Sequence, residues 1–326
     1  MRAIHVTATG GPEVLVPTEL PDPSPAPGEV LVRVAAAGVN FIDTYRRSGV
    51  YRAPVPHVPG DEGAGTVVAV GRDVAGFAEG DRVAWADGSS GSYATLTTVR
   101  ADRAVPVPSD LPDDLAAAVM LQGMTAHYLV EATFPVREGQ TVLVHAGAGG
   151  VGLLLVQLAR ARGARVLATV SSAEKADLAA AAGAEVIRYD AMADLTHDLP
   201  SRVRELAEGG VHTVFDGVGR STFDASLASL RPRGGLALFG GASGQVPPVD
   251  PQRLNAAGSV YLTRPTLGHH VATRAELEER AGAVLGAVAA GTLDVRVGAR
   301  YALDDAADAH RALEGRATTG KVLLVP

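Results

Sequence analysis

The sequence predicts an α/β protein in which a doubly wound parallel sheet is inserted into a β-rich domain. Three observations carry this. Short strands broken by proline and glycine fill the first third of the chain, strands and helices alternate through the middle, and residues 265–326 return to a mixed pattern. A chain of 326 residues is long enough to bury two separate cores.

In the first third, Val30-Leu31-Val32-Arg33-Val34 and Gly65-Thr66-Val67-Val68-Ala69-Val70 are rich in strand-forming residues. Pro21-Asp22-Pro23-Ser24-Pro25 and Ala53-Pro54-Val55-Pro56 punctuate them, a rhythm that suits a small barrel or sandwich. At Leu111-Pro112-Asp113-Asp114 the rhythm changes to a capped helix start followed by an alanine-rich run. A strand over 141–145 then meets a glycine-rich turn and a long apolar helix. Strands at 165–170, 185–187, 213–216 and 236–239 alternate with helices at 173–182, 199–208 and 223–230. Strands separated by helix-length crossovers form a parallel sheet covered on both faces. A helix over 274–290 and a closing strand at 321–325 return to complete the first domain. The expected division is therefore residues 1–121 with 265–326, and an inserted domain over 122–264.

Composition narrows the function. Acidic residues number 36 against 29 basic ones, a net charge of -7 that argues against broad binding to a nucleic-acid backbone. The absence of cysteine excludes disulfides and any thiolate-held zinc or iron–sulfur cluster. Met1-Arg2-Ala3-Ile4-His5-Val6 is strand-like and lacks the apolar core of a signal peptide. The longest apolar stretch, 151–159, is broken by Gln157 and followed by Arg160 and Arg162, too short to span a bilayer. These features predict a soluble, cytoplasmic protein with neither a membrane nor a nucleic-acid partner.

The strongest local signal is His145-Ala146-Gly147-Ala148-Gly149-Gly150-Val151-Gly152, which follows a strand and opens a helix. Small residues at such a turn let backbone amides approach a pyrophosphate, Gly152 allows close helix packing, and the helix N-terminus favours negative charge. Ala146 stands where the usual fingerprint has glycine. A turn without a ligand could contain the same residues, but the alternating strands and helices around it point to a dinucleotide. An NAD site would place an acid on the ribose 2′-hydroxyl at the end of the next strand. Here that strand runs into Ser171 and Ser172, with Lys175 one helical turn on. Hydroxyl donors, room and a cation favour a 2′-phosphate, and hence NADPH.

Further segments carry a family resemblance: Ala37 to Tyr45, Pro59 to Gly65, Gly76 to Val83, Gln122-Gly123-Met124-Thr125-Ala126, Tyr261 to Pro265 and Arg316 to Lys321. In this order the chain resembles the zinc-independent, zeta-crystallin-like NADPH:quinone oxidoreductases of the medium-chain dehydrogenase/reductase superfamily. The resemblance implies a Rossmann domain inserted in a GroES-like catalytic domain, hydride transfer from NADPH to a quinone, and a homodimer joined through Val260-Tyr261-Leu262 at a sheet edge. Zinc alcohol dehydrogenases of the same superfamily have cysteine and histidine ligands where this chain has Asn40 and Asp61. The four-cysteine lobe is missing between Gly88 and Tyr93. With those ligands gone no zinc is expected, and the acceptor must be easy to reduce.

The resemblance extends the cofactor set to Asn40, Thr125, Tyr189, Val218, Phe239, Gly240, Gly241, Leu262, Thr263, Arg264 and Arg316, beside Ala146, Gly147, Gly149, Gly150, Val151, Gly152, Ser171, Ser172 and Lys175. Asn40, Tyr45 and Tyr51 are placed around the acceptor ring, and Asp43 is read as a structural hydrogen-bonding residue. Two alternatives stay open: reduction of activated alkenes such as enones, enals or enoyl thioesters, and a non-catalytic NADPH-binding structural or RNA-binding role.

Overall fold

The computed structural model describes all 326 residues. In chain order the strands are β1 (Arg2–His5), β2 (Val16–Glu19), β3 (Glu29–Val39), β4 (Glu62–Val70), β5 (Arg82–Trp85), β6 (Leu96–Arg100), β7 (Val105–Pro106), β8 (Thr141–Val144), β9 (Arg165–Val170), β10 (Glu185–Arg188), β11 (Val211–Asp216), β12 (Leu230–Leu238), β13 (Tyr261–Thr263), β14 (Val297–Ala302) and β15 (Lys321–Val325). The helices are α1 (Phe41–Ser48), α2 (Asp113–Tyr128), α3 (Gly150–Ala161), α4 (Ala173–Ala181), α5 (Leu195–Leu206), α6 (Phe223–Ser229), α7 (Gln252–Ala256), α8 (Arg274–Ala289) and α9 (Ala306–Glu314). They form two compact units, Met1–Met124 with Val271–Pro326, and Thr125–His270.

The first unit is built on a seven-stranded sheet of order β14-β15-β3-β4-β5-β7, with β6 pairing to β3 as well. β3 is eleven residues long, which lets it pair with β4, β6 and β15 along its length. Its pairing with β4 requires glycine. A Cβ on Gly65 would lie 2.0 Å from the carbonyl oxygen of Arg33. Val30, Val32 and Val34 alternate inward with Val67, Val83, Trp85, Val322 and Leu324 to make the core.

The second unit is a six-stranded parallel sheet of order β10-β9-β8-β11-β12-β13. This is the doubly wound order in which successive strands are added outward on one side of β8 and then, from β11, on the other, leaving a crevice at the C-terminal ends of β8 and β11. Leu143, Leu167, Val214 and Leu236 from the strands pack with Leu199, Val203 and Phe223 from the helices. One helix departs from expectation. α5 begins at Leu195, four residues before the predicted start, because the Asp194 side chain accepts from the Thr196 N–H at 2.9 Å and caps it. Pro200 lies inside that helix, where its missing N–H and ring disturb the local hydrogen bonding without ending the helix. No helix is long and apolar enough to cross a membrane.

Candidate active site

In the second unit the chain leaves β8 at Val144 and turns sharply before α3. Ala146 takes φ +52°, a left-handed conformation that glycine adopts without strain and alanine does not. The Gly149 N–H donates to the Ala146 carbonyl at 2.9 Å, closing the turn, and the Gly147 N–H ties it to the Thr169 carbonyl at 3.0 Å. The glycines have distinct reasons. A Cβ on Gly147 would lie 2.6 Å from the Ala168 side chain, and one on Gly152 would lie 2.2 Å from the Ala146 carbonyl oxygen. Gly149 is different: a Cβ there would meet only the Ala146 oxygen, at 3.2 Å. The front of the turn is thus open, with the N-terminus of the twelve-residue α3, Gly150 and Val151 first, facing it. That arrangement fits the pyrophosphate of a dinucleotide.

Beside the turn, Ser171 and Ser172 follow the end of β9. Ser172 caps α4 by accepting from the Lys175 N–H at 3.3 Å, so Lys175 sits in the first helical turn, half-buried, while Glu174 is exposed. β10 runs parallel to β9 with Arg188 opposite Val170, and the Tyr189 N–H donates to the Val170 carbonyl at 3.1 Å. Ser171, Ser172, Lys175 and Tyr189 are therefore brought to one pair of strand ends. On the other side of the crevice, the Val218 N–H donates to Asp216 Oδ1 at 2.8 Å and the Phe239 N–H to the Asp216 carbonyl at 2.9 Å. Gly240 approaches Gly217 so closely that a Cβ would lie 2.3 Å from its carbonyl oxygen. Gly241 follows in the same loop. Leu262 and Thr263 lie on β13 opposite Leu236 and Ala237, and Arg264 follows with Nη1 donating to the Pro265 carbonyl at 3.3 Å. Thr125 is buried on α2.

A network that the sequence did not announce underpins this crevice. Asp216 is fully buried at the end of β11 and accepts from the Thr222 and Ser226 hydroxyls and the Val218 and Gly219 N–H groups. The Ser226 hydroxyl donates to Asp216, so His145 Nε2–H donates to Ser226 at 2.9 Å and Nδ1 accepts from Thr169 at 2.9 Å. Burial pushes the His145 pKa down, which keeps the ring in this neutral form. The available signal was a polar residue closing each of two apolar strands.

The first unit holds the remaining candidates. Tyr45 on α1 and Tyr51 in the following loop stack edge to face at 5.3 Å, and the Tyr51 N–H donates to the Tyr45 carbonyl at 3.0 Å. Arg316 follows α9 at φ +56°. Asn40 immediately precedes α1, and its amide is already engaged. Nδ2 donates to Glu62 Oε2 at 2.8 Å, and Oδ1 accepts from Lys321 Nζ at 2.9 Å and Gln122 Nε2 at 3.2 Å. Glu62 and Lys321 form an ion pair with neither side chain more than 1% exposed, and Glu62 Oε1 also accepts from the Leu121 N–H at 2.6 Å. The second Nδ2 hydrogen goes to the Gly38 carbonyl at 3.4 Å, so a hydrogen bond from Asn40 to an acceptor would require one of these partners to be given up. Neighbouring Asp61 pairs with Arg46 instead; burial raises its pKa, and the arginine opposes that rise. The two positions that replace zinc ligands are thus each engaged by a cationic side chain. No three His, Cys, Asp or Glu side chains converge on a point that could hold a metal ion.

A sheet of this order, inserted into a β-rich unit and carrying a glycine turn that opens a helix, defines a nicotinamide-dependent oxidoreductase of the medium-chain type. Comparison with known proteins agrees. Residues 26–109 match the alcohol dehydrogenase GroES-like domain, and residues 150–282 match the zinc-binding dehydrogenase domain. The quinone oxidoreductase of Pseudomonas aeruginosa is 44% identical over 100% of this chain and 99% of its own length. The 2-haloacrylate reductase of a Burkholderia species is 41% identical over 100% of this chain and 99% of its own. A mycobacterial protein solved in complex with NADPH is 53% identical, covers 100% of both chains and aligns with a TM-score of 0.97. The chain belongs to the quinone oxidoreductase family of the medium-chain dehydrogenase/reductase superfamily.

Proposed function

We propose that this protein reduces quinones with NADPH. The observation that carries the cofactor is the pair of strand ends where Ser171, Ser172, Lys175 and Tyr189 gather beside an open glycine turn, with no acid in the position that would hold a 2′-hydroxyl. NADPH supplies a hydride when bound. Gly147 and Gly152 keep the turn close to β9 and α3, the α3 N-terminus holds the pyrophosphate, and Ser171, Ser172, Lys175 and Tyr189 take the 2′-phosphate. Val218, Phe239, Gly240, Gly241, Leu262, Thr263 and Arg264 line the inner end, with Thr125, Asn40 and Arg316 as further contacts. Tyr45 and Tyr51 offer an aromatic edge to the acceptor ring. Asn40 acts mainly by holding the start of α1 in place.

A quinone suits this machinery because conjugation already activates it, so positioning and exclusion of water suffice. The full-length likeness to the Pseudomonas quinone oxidoreductase supports that acceptor. A second reading, reduction of activated alkenes, is favoured by the likeness to the Burkholderia 2-haloacrylate reductase. Turnover of NADPH with a benzoquinone and with an enone or 2-haloacrylate, side by side, separates the two. The expected result is a kcat/KM at least about tenfold higher for the quinone, a margin of about 1.4 kcal/mol in transition-state binding. A preference for the alkene would replace this reading with the second.

The proposed assembly is a cytoplasmic homodimer paired through β13. This strand ends the sheet, and its Tyr261 is 60% exposed. An edge strand of this kind is suited to continuing into a second copy.

A further inference from the structure

The inner end of the crevice in the second unit is formed by two loops, residues 217–222 after β11 and 239–244 after β12. Hydrogen bonds zip them together. The Ser243 N–H donates to the Val218 carbonyl at 2.8 Å, the Ala242 N–H to the Gly217 carbonyl at 3.3 Å and the Arg220 N–H to the Gly244 carbonyl at 3.2 Å. The Ser243 hydroxyl donates to the same Val218 carbonyl at 2.8 Å and accepts from the Ser221 N–H at 3.0 Å. A displacement of either loop therefore displaces the other.

One buried residue holds both loops. Asp216 ends β11, and its Oδ1 accepts from the Val218 N–H at 2.8 Å and the Gly219 N–H at 3.0 Å. Its main-chain carbonyl accepts from the Phe239 N–H at 2.9 Å and the Gly240 N–H at 3.4 Å, on the other loop. Oδ2 accepts from the Ser226 hydroxyl at 2.7 Å, and the Thr222 hydroxyl lies 2.9 Å from Oδ1 and 2.8 Å from Oδ2, bracing the group. Main-chain amides and hydroxyls thus offset the cost of burying the carboxylate.

Its orientation is set from behind. Ser226 spends its one hydrogen on Oδ2 and accepts from His145 Nε2–H, while His145 Nδ1 accepts from the Thr169 hydroxyl. Thr169 stands on β9, and its carbonyl holds the Gly147 N–H of the glycine turn at 3.0 Å. A carboxylate accepts on both oxygens, whereas an amide in its place accepts at one end and donates from the other. The chain from Thr169 through His145 and Ser226 therefore runs in this direction because Asp216 is its terminus.

We propose that Asp216 is the positioning residue for the nicotinamide end of the cofactor. Its carboxylate, oriented by Thr222 and by the Ser226–His145–Thr169 chain, fixes the main chain of Val218, Gly219, Phe239 and Gly240 in the shape that receives the nicotinamide ring. The proposal rests on the placement of Val218, Phe239 and Gly240 around that ring, as proposed above. Asp216 is fully buried, so it acts through those residues and not by contact with the ring. Loops already held in their binding shape lose less freedom when the ligand arrives, and that saving appears as affinity. Ser171, Ser172 and Lys175, at the adenosine end, stand on other segments and make no hydrogen bond to Asp216. The effect is therefore confined to one end of the dinucleotide, whereas a general support of the fold would serve both ends.

The test uses the full chain with Asp216→Ala, Asp216→Asn and Thr222→Val, titrated by calorimetry with NADP+ and with adenosine 2′,5′-bisphosphate, which lacks the nicotinamide end. Asp216→Ala is expected to weaken NADP+ by about tenfold and the bisphosphate by less than about twofold. Thr222→Val loosens the carboxylate without deleting it, and should show the same selectivity at about threefold, which keeps the proposal testable if Asp216→Ala does not fold. Asp216→Asn keeps an oxygen for Val218 and Gly219, so NADP+ affinity should return to within about threefold of the parent. Its amide nitrogen now donates to Ser226, which reverses the chain. Nitrogen NMR of histidine-labelled protein should find His145 protonated on Nε2 in the parent and on Nδ1 in Asp216→Asn. Equal weakening of both ligands in Asp216→Ala and Thr222→Val would overturn the proposal, and so would unchanged NADP+ affinity. A His145 tautomer indifferent to Asp216→Asn would also overturn it. If the unaltered protein bound NADP+ no more tightly than the bisphosphate, the placement of the ring would fall instead.

Discussion

The crevice of the second unit and the polar interior of the first are built on different principles. The crevice is made by backbone: a turn at Ala146, close approaches at Gly147 and Gly152, and strand ends set side by side by a regular sheet. Its parts lie within a few residues of one another in each segment. The first unit's interior is made by side chains from distant segments. Asn40 meets Lys321 across 281 positions, Arg47 meets His310 across 263, and Tyr93 meets His310 across 217. A site made of local backbone tolerates little addition of volume, whereas a site made of a distant ionic network tolerates little removal of a partner.

That contrast orders the expected effects. Lys321→Met should have the largest, because it leaves Glu62 charged, fully buried and without its cation. A loss of about 3–5 kcal/mol in urea unfolding is predicted, much of it recovered when Glu62→Met is added to form the pair. A single variant within about 1 kcal/mol of the parent would break the comparison, since the network would then contribute little.

Gly152→Ala comes next. The new methyl would press on the Ala146 carbonyl, costing about 1–3 kcal/mol of stability and abolishing tight NADPH binding in a fluorescence titration. Lys175→Ala is smaller and more selective. Affinity for NADPH should fall about tenfold, or about 1.4 kcal/mol, with NADH binding unchanged. An equal loss for both nucleotides would place Lys175 away from the 2′-phosphate. Smallest of all, Ala146→Gly relieves the left-handed strain but loosens the unfolded chain, and the balance should leave the midpoint of thermal unfolding slightly raised, by about 0.5 kcal/mol of stability.

The same contrast explains what was legible in the sequence. The alternating strands, the glycine turn and the serine pair with Lys175 are each contained in a short stretch, so periodicity and spacing report them. The order β10-β9-β8-β11-β12-β13 is one of the few that such alternations and the usual handedness of crossovers allow. α5 starts earlier than its apolar pattern suggests because its first turn depends on the Asp194 cap. The pairing of Asp216 with His145 through Ser226 and the Asp43–Tyr93–His310 chain have no counterpart in local spacing. Their members read as single polar residues until the fold brings together residues as far apart as Asp43 and His310. Asn40 is expected at the site from the sequence, but its commitment to Glu62, Lys321 and Gln122 is visible only once β3, β4, α2 and β15 are assembled. Likewise, a pairing of Asp61 with Arg46 is not encoded by either residue alone.

The most direct test of the central claim is the rate of nicotinamide oxidation with a simple quinone as acceptor, measured in parallel with NADPH and NADH after treatment with a chelator. The account predicts quinone-dependent turnover that prefers NADPH by about tenfold or more and is unchanged by the chelator. Equal use of NADH, or loss of turnover on chelation, would contradict it.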